Sequence, residues 1–189
     1  MIIGLGNPGR EHRSNRHNVG FMIIDNLSQK LGAKISRVQL RSLVTSINLG
    51  EKRIILAKPQ TFMNLSGSAV RSLVRYYKVP LEYVLIVHDD LDLPLGTIRI
   101  RPGGASAGHK GLGSIIDELH TETVPRLRVG IGRPPGRMDG ADYVLEDFSS
   151  EEKKSISPVL ERATEGIMTF ISSGITAAMN QYNSVPQLE

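Results

Sequence analysis

The chain has 189 residues, enough for one domain with a real hydrophobic core. Its 40% hydrophobic and 22% charged content is that of a folded globular protein, and no apolar run is long enough to cross a membrane. The absence of cysteine excludes disulfides, thiolate nucleophiles and cysteine-ligated zinc, and the net charge of +4 permits a polyanionic partner without requiring one.

Residues 1–5 read as a buried strand with no basic leader before it, so a cytoplasmic location is expected. Residues 18–31 predict a helix: Ile23, Ile24, Leu27 and Leu31 share a face, and Gly32 is a stop signal. Two strands, 43–49 and 53–58, are joined by a turn at Gly50-Glu51. A second helix is expected over 65–78, with Ala69, Val70, Leu73, Val74 and Tyr77 in one stripe and Pro80 beyond its end. Apolar residues 83–88 and alternating residues 97–101 predict two further strands. The Gly-rich run Gly103-Gly104-Ala105-Ser106-Ala107-Gly108 leads to a helix with Leu112, Ile115, Ile116 and Leu119 on one face. Residues 126–131 predict a strand, and 133–148 a loop with a short helical piece. A long helix is expected over 150–172, opened by a Ser149/Glu152 capping box and kinked at Pro158, with a last short helix over 174–182. Alternating strands and helices define an α/β fold, a sheet covered by helices in a single domain over 1–189.

Polar clusters follow two of the strands, where α/β folds place their sites. Gly4-Leu5-Gly6-Asn7-Pro8-Gly9 matches the dinucleotide fingerprint in outline, but Pro8-Gly9 makes a turn and no helix begins inside the motif, so nucleotide binding is rejected. Asn7 is left as a turn residue or as an amide aimed into a site. His17 lies in a polar loop, where histidines are usually inert. Its convergence with Asn7 and Asp89 at strand ends is what makes it a candidate base. The run His88-Asp89-Asp90-Leu91-Asp92 fits a capping turn, a hard-cation site or the carboxylate partner of a histidine, with metal ranked last. Asn64 fits a helix N-cap or a substrate-binding amide, and Phe62 and Met63 fit core or an apolar wall. The Gly-rich loop with His109 and Lys110 opens a helix and, flanked by Arg99 and Arg101, suits an anion; alone it would be a mobile surface loop.

Taken together, these segments resemble bacterial-type peptidyl-tRNA hydrolase. The resemblance rests on Gly4 to Gly9, Arg16-His17-Asn18-x-Gly20, Lys58-Pro59-x-Thr61-Phe62-Met63-Asn64-x-Ser66-Gly67, His88 to Gly96, Gly103-Gly104, Gly108 to Leu112 and Arg126 to Pro134, in matching order along essentially the whole chain. It implies a monomer with a twisted mixed sheet that hydrolyses the ester between a peptide and the 3′-terminal ribose of tRNA, without metal or other cofactor. It makes His17 the base, Asp89 its supporting carboxylate, and Asn7 and Asn64 essential amides. It matches Met63 to a position lining the peptide cleft, and Phe62, Lys110 and His12 are further substrate-lining candidates. It matches Arg101 and Arg128 to basic positions linked to tRNA binding or to support of the site, and Arg99, Lys110, Arg133 and Arg137 join them on charge as candidates for the acceptor end of tRNA. The chain departs from the family pattern at three places: His12 replaces a usual Tyr and sets a second histidine near the site, Lys110 replaces a usual Asn, and Asp139 replaces a basic residue. The competing reading is a non-catalytic RNA-binding relative of the same fold.

Overall fold

The computed structural model describes residues 1–184, so residues 185–189 of the expected domain lie outside the described residues. Strand β1 (Ile2–Gly4) is followed by helix α1 (Val19–Lys30), strands β2 (Arg37–Gln39), β3 (Ser42–Leu49) and β4 (Lys52–Pro59), and helix α2 (Ser66–Tyr77). Then come β5 (Leu85–Asp90), β6 (Ile98–Arg101), α3 (Lys110–Leu119), β7 (Arg126–Gly130), α4 (Gly140–Leu145) and α5 (Ser150–Tyr182). The strands form one seven-stranded sheet in the order β2-β3-β4-β1-β5-β7-β6. Its centre is parallel, β4, β1, β5 and β7, while β2, β3 and β6 run antiparallel to their neighbours. The sheet is therefore mixed.

Buried central strands are apolar on both faces, and here successive residues feed opposite layers. Ile2, Leu56, Leu85, Val87, Leu127 and Val129 pack with α1, α4 and α5. Ile3, Leu5, Ile55, Ala57 and Ile86 pack with α2 and α3 through Val70, Leu73, Leu112 and Ile115. Helix α1 lies close on the sheet because a glycine faces it from each side. A Cβ on Gly20 would come within 2.4 Å of the Val87 carbonyl oxygen, and one on Gly4 within 2.3 Å of the Gly20 carbonyl oxygen. This contact draws the start of α1, and the turn before it, onto the end of β5.

Three boundaries differ from the sequence reading. Strand β5 starts two residues later and runs to Asp90, because Tyr83 closes a 3-10 turn over Leu81–Tyr83. Strand β2 was not foreseen: it is short, its Arg37 and Val38 are exposed, and only pairing with β3 makes it a strand. Helix α5 is helical through Pro158 and departs from helical dihedrals only at Gly174 (φ 83°, ψ 178°). Pro158 and Lys154, whose carbonyl loses its partner, are both exposed, so the missing bond falls on the solvated face of the helix. At Gly174 the positive φ ends the first helical segment. The Lys52 ammonium donates to the freed Ile171 and Ser172 carbonyls at 2.8 and 3.0 Å.

Candidate active site

A cleft of about 1140 Å³ opens over the ends of β1 and β5. Asn7, His17, Phe62, Met63, Asn64, Asp89, His109 and Lys110 line it, as do Arg133, Arg137 and residues of α4. At its base Asp89, 2% exposed at the end of β5, accepts two hydrogen bonds on one oxygen. His17 Nδ1–H donates to Asp89 Oδ1 at 2.8 Å and His109 Nε2–H donates to the same atom at 2.9 Å. Burial opposes the charge on Asp89, but the two histidines, His109 foremost, hold its carboxyl well below the usual carboxylate range.

The partners fix the proton on each ring. A carboxylate only accepts, so His17 carries its proton on Nδ1, and its Nε2 has no hydrogen-bond partner among the described residues. His109 uses both nitrogens: Nε2 donates to Asp89 and Nδ1 accepts from the Leu112 amide at 3.1 Å, capping α3. His88, one residue before Asp89, donates from Nδ1 to the Asp89 carbonyl oxygen at 2.7 Å and stacks edge-on against His109, with ring centroids 4.7 Å apart. Burial first, and then the neighbouring His109, lower its pKa to about 3. Its Nε2 is buried without a partner. Of the three rings, only His17 combines a place on the cleft with a nitrogen not already engaged.

Asn7 is held from three sides. Its backbone N–H donates to Asn18 Oδ1 and its carbonyl accepts from Asn18 Nδ2, both at 2.9 Å, while its side-chain Oδ1 accepts from the Met63 amide at 2.9 Å. The Oδ1 end is therefore occupied and the Nδ2 end remains as a donor. Asn18 spends its side chain on this clamp and makes no helix cap. Asn64 is not a cap either. It is exposed on the cleft in the 3-10 turn Met63–Leu65, before α2 begins at Ser66. Phe62 is 68% exposed and Met63 4%, so the first is a bare wall of the cleft and the second a core residue that also reaches it.

The other expected residues divide. Lys110 begins α3 exposed on the cleft, and Arg137 is also on the cleft. Arg133, likewise on the cleft, is paired with Asp92. His12 is not among the residues lining the cleft: its Nδ1 meets Asn15 Oδ1 at 3.0 Å, and the second histidine at the site is His109. Asp139 caps α4 by accepting from the Ala141 amide at 2.7 Å, which accounts for an acid there. Arg99 is register partner to Arg128, and Arg101 to Arg126, so the pleat sets four arginines together on one face of β6 and β7. Arg128 Nε donates to Asp90 Oδ2 at 2.5 Å. Arg126, missed by the sequence reading, is buried and donates to the Gly104, Ala105, Glu122 and Val124 carbonyls, fastening the Gly-rich loop. Arg101, Arg126 and Arg128 share a second cavity of about 330 Å³ with His88.

His17, Asp89 and His109 also form a group whose ligand-type atoms lie within 4.8 Å of one another, the composition of a transition-metal site. The two histidine nitrogens lie 2.8 and 2.9 Å from Asp89 Oδ1, which are hydrogen-bond distances, and each already has a donor role there.

A helix-covered α/β sheet with a histidine–aspartate pair at the foot of a deep cleft is the arrangement of a hydrolytic enzyme. The peptidyl-tRNA hydrolase family model matches residues 1–189. The chain is 50% identical over 183 residues to the peptidyl-tRNA hydrolase of Caldanaerobacter subterraneus subsp. tengcongensis, covering 97% of this chain and 98% of that one. It is 42% identical to that of an Arthrobacter species, covering 99% and 97%. The crystal structure of peptidyl-tRNA hydrolase from Acinetobacter baumannii superposes with a TM-score of 0.91 at 33% identity, covering 97% of this chain and 93% of that one. The chain belongs to the peptidyl-tRNA hydrolase family.

Proposed function

We propose that this enzyme hydrolyses the ester joining a peptide to the 3′-terminal ribose of tRNA by a metal-free, His17-activated water. The observation that carries the mechanism is the tautomer assignment: His17 is the ring with Nδ1–H on Asp89 and an unengaged Nε2 on the cleft. In the first step Nε2 takes a proton from water, and the hydroxide attacks the ester carbonyl. Asp89 stabilises the imidazolium that forms. His17 then returns the proton to the leaving ribose oxygen as the tetrahedral intermediate collapses, giving free peptide and tRNA. The fixed Nδ2 donor of Asn7, with the Asn64 amide, orients the water or stabilises the developing oxyanion. Phe62 and Met63 supply an apolar wall for the peptide. The acceptor end of tRNA is held by Arg99, Arg101 and Arg128, which the register sets on one face of β6 and β7. Lys110, Arg133 and Arg137 extend this surface along the cleft. We assign the protein to the cytoplasm and read it as a monomer.

The test is peptide release from N-acetyl-aminoacyl-tRNA. His17→Ala should lower kcat by about 10²–10⁴-fold while tRNA binding persists. Rapid cleavage by His17→Ala would remove His17 as the base. Loss of wild-type activity in EDTA, restored by a divalent ion, would make the His17–Asp89–His109 group a metal site instead.

A further inference from the structure

The turn that carries His17 is docked on the far wall of the cleft by the residue just before it. Arg16 points away from His17, its side chain only 7% exposed, and stacks on the Tyr143 ring of α4 with its guanidinium carbon 4.1 Å from the centroid. Its Nη2 donates to Glu152 Oε2 at 2.7 Å and its Nη1 to the Tyr143 carbonyl at 3.3 Å. The same Glu152 oxygen accepts from the Ser149 amide at 2.7 Å, closing the capping box that starts α5. Burial works against the Glu152 charge, but the Ser149 amide and Arg16 keep its carboxyl below the ordinary range. The backbone follows the same path: the Arg16 amide donates to the Glu146 carbonyl at 3.0 Å and the Phe148 amide to the Ser14 carbonyl at 3.1 Å. Asn15 adds a side-chain bond to the Leu145 carbonyl, and His12 braces Asn15. Val144 and Leu145, at the end of α4, line the cleft.

We propose that Arg16 and Glu152 are a positioning pair that locks the His17 turn to α4 and the α5 N-terminus, so that the base and one wall of the cleft are held as a unit. An ion pair whose arginine is buried and whose carboxylate is partly so is a poor stabiliser, because desolvation offsets its attraction and apolar residues of similar size often serve stability equally well. What it supplies is direction. The planar guanidinium stacks on one ring while bonding in two directions, and that geometry fixes the peptide plane leading into His17. A misplacement of about 1 Å at a reacting group costs up to about 100-fold in rate. The proposal rests on the reading of His17 as the base.

The experiment compares wild type with Arg16→Met, Arg16→Lys and Glu152→Gln, each checked for folding by circular dichroism. The readouts are kcat, KM, the pH profile of kcat/KM, and the NMR resonance of the His17 Nδ1 proton shared with Asp89. Arg16→Met should lose about 10–100-fold in kcat with KM within about threefold. The acid limb of its profile should move, and the shared-proton resonance should shift or broaden in a folded protein. Arg16→Lys, lacking the planar fork, should not rescue. Glu152→Gln keeps an oxygen for Arg16 and Ser149 and should fall between; it carries the same readouts if Arg16→Met fails to fold. A fall in kcat that only tracks the folded fraction, with profile and resonance unmoved, overturns the positioning role. His17→Ala run alongside separates the failures: full activity there sinks the base assignment, whereas an inactive His17→Ala beside an unaltered Arg16→Met sinks only this proposal.

Discussion

One carboxylate oxygen, Asp89 Oδ1, accepts a hydrogen bond from each of two histidine rings, and what separates the rings chemically is the second nitrogen of each. His109 has spent its second nitrogen on the α3 cap, while that of His17 remains for a proton. Asn7 obeys the same logic, since an amide whose oxygen is taken by Met63 N–H can only donate with its other end. Asn7→Asp therefore swaps a donor for a second acceptor on the cleft. It should lower kcat by about 10²–10³-fold with little change in KM. A variant that instead raises KM at unchanged kcat would make Asn7 a ground-state binding residue. His17, Asp89 and Asn7 stood out in the sequence because each follows an apolar strand. His109 did not, because histidine is an uncommon N-cap and its signal was only a ring placed between Gly108 and an apolar-periodic helix. The role of Asn18 was hidden too, since a clamp on Asn7 depends on two loops meeting in space.

At the level of the element, β5 does unusual work at its end, where His88, Asp89 and Asp90 are all buried. A strand that ends in ionisable residues couples its stability to pH. The folded His88 stays neutral down to about pH 3, whereas the unfolded chain takes up that proton near 6.5. Between those values the unfolded state binds more protons, so stability should fall as pH drops, by at most about 1.4 kcal/mol per pH unit from this group. Asp89 and Glu152, with lowered carboxyl pKa values, act in the same sense at the acid end: their contribution is full above the unfolded carboxylate pKa and is lost as pH falls through the folded one. Denaturant titrations of His88→Asn, which cannot take up this proton, should show a shallower decline between pH 6.5 and 4.5 than wild type. Equal slopes would mean His88 does not carry the linkage. The sequence revealed the helices and strands whose apolar period is long, and the capping box of α5. It expected a kink at Pro158, a visible helix breaker that sits on a solvated face, but it also ended the long helix at 172 and began another at 174, where Gly174 does break α5 and Lys52 from β4 meets the freed carbonyls. It missed β2 because three mostly polar residues carry no period of their own.

For the whole molecule, the net charge of +4 understates the field that an RNA would meet. Four arginines share one face of β6 and β7, and the two with internal partners differ from the two without. Arg126 is bound to carbonyls and Arg128 to Asp90, whereas Arg99 and Arg101 make no ion pair among the described residues. The first two are spent on internal partners, and the second two are the charges left to test against a nucleic acid. Composition could not show this, because it depends on the register that sets Arg99 against Arg128 across two strands. The binding energy of such a surface comes largely from counterions released by the nucleic acid, and so weakens with salt in proportion to the phosphates contacted. Measured with the inactive His17→Ala protein and intact peptidyl-tRNA, log K against log salt should be steep for an otherwise unaltered chain. It should become shallower by about 0.7–0.9 for each of Arg99→Ala and Arg101→Ala. Arg126→Ala should behave differently: it frees the Gly-rich loop and lowers stability with a smaller change in slope. If Arg99→Ala and Arg101→Ala leave the slope where it was, the RNA passes elsewhere, and Lys110, Arg133 and Arg137 on the cleft become the charges to remove next.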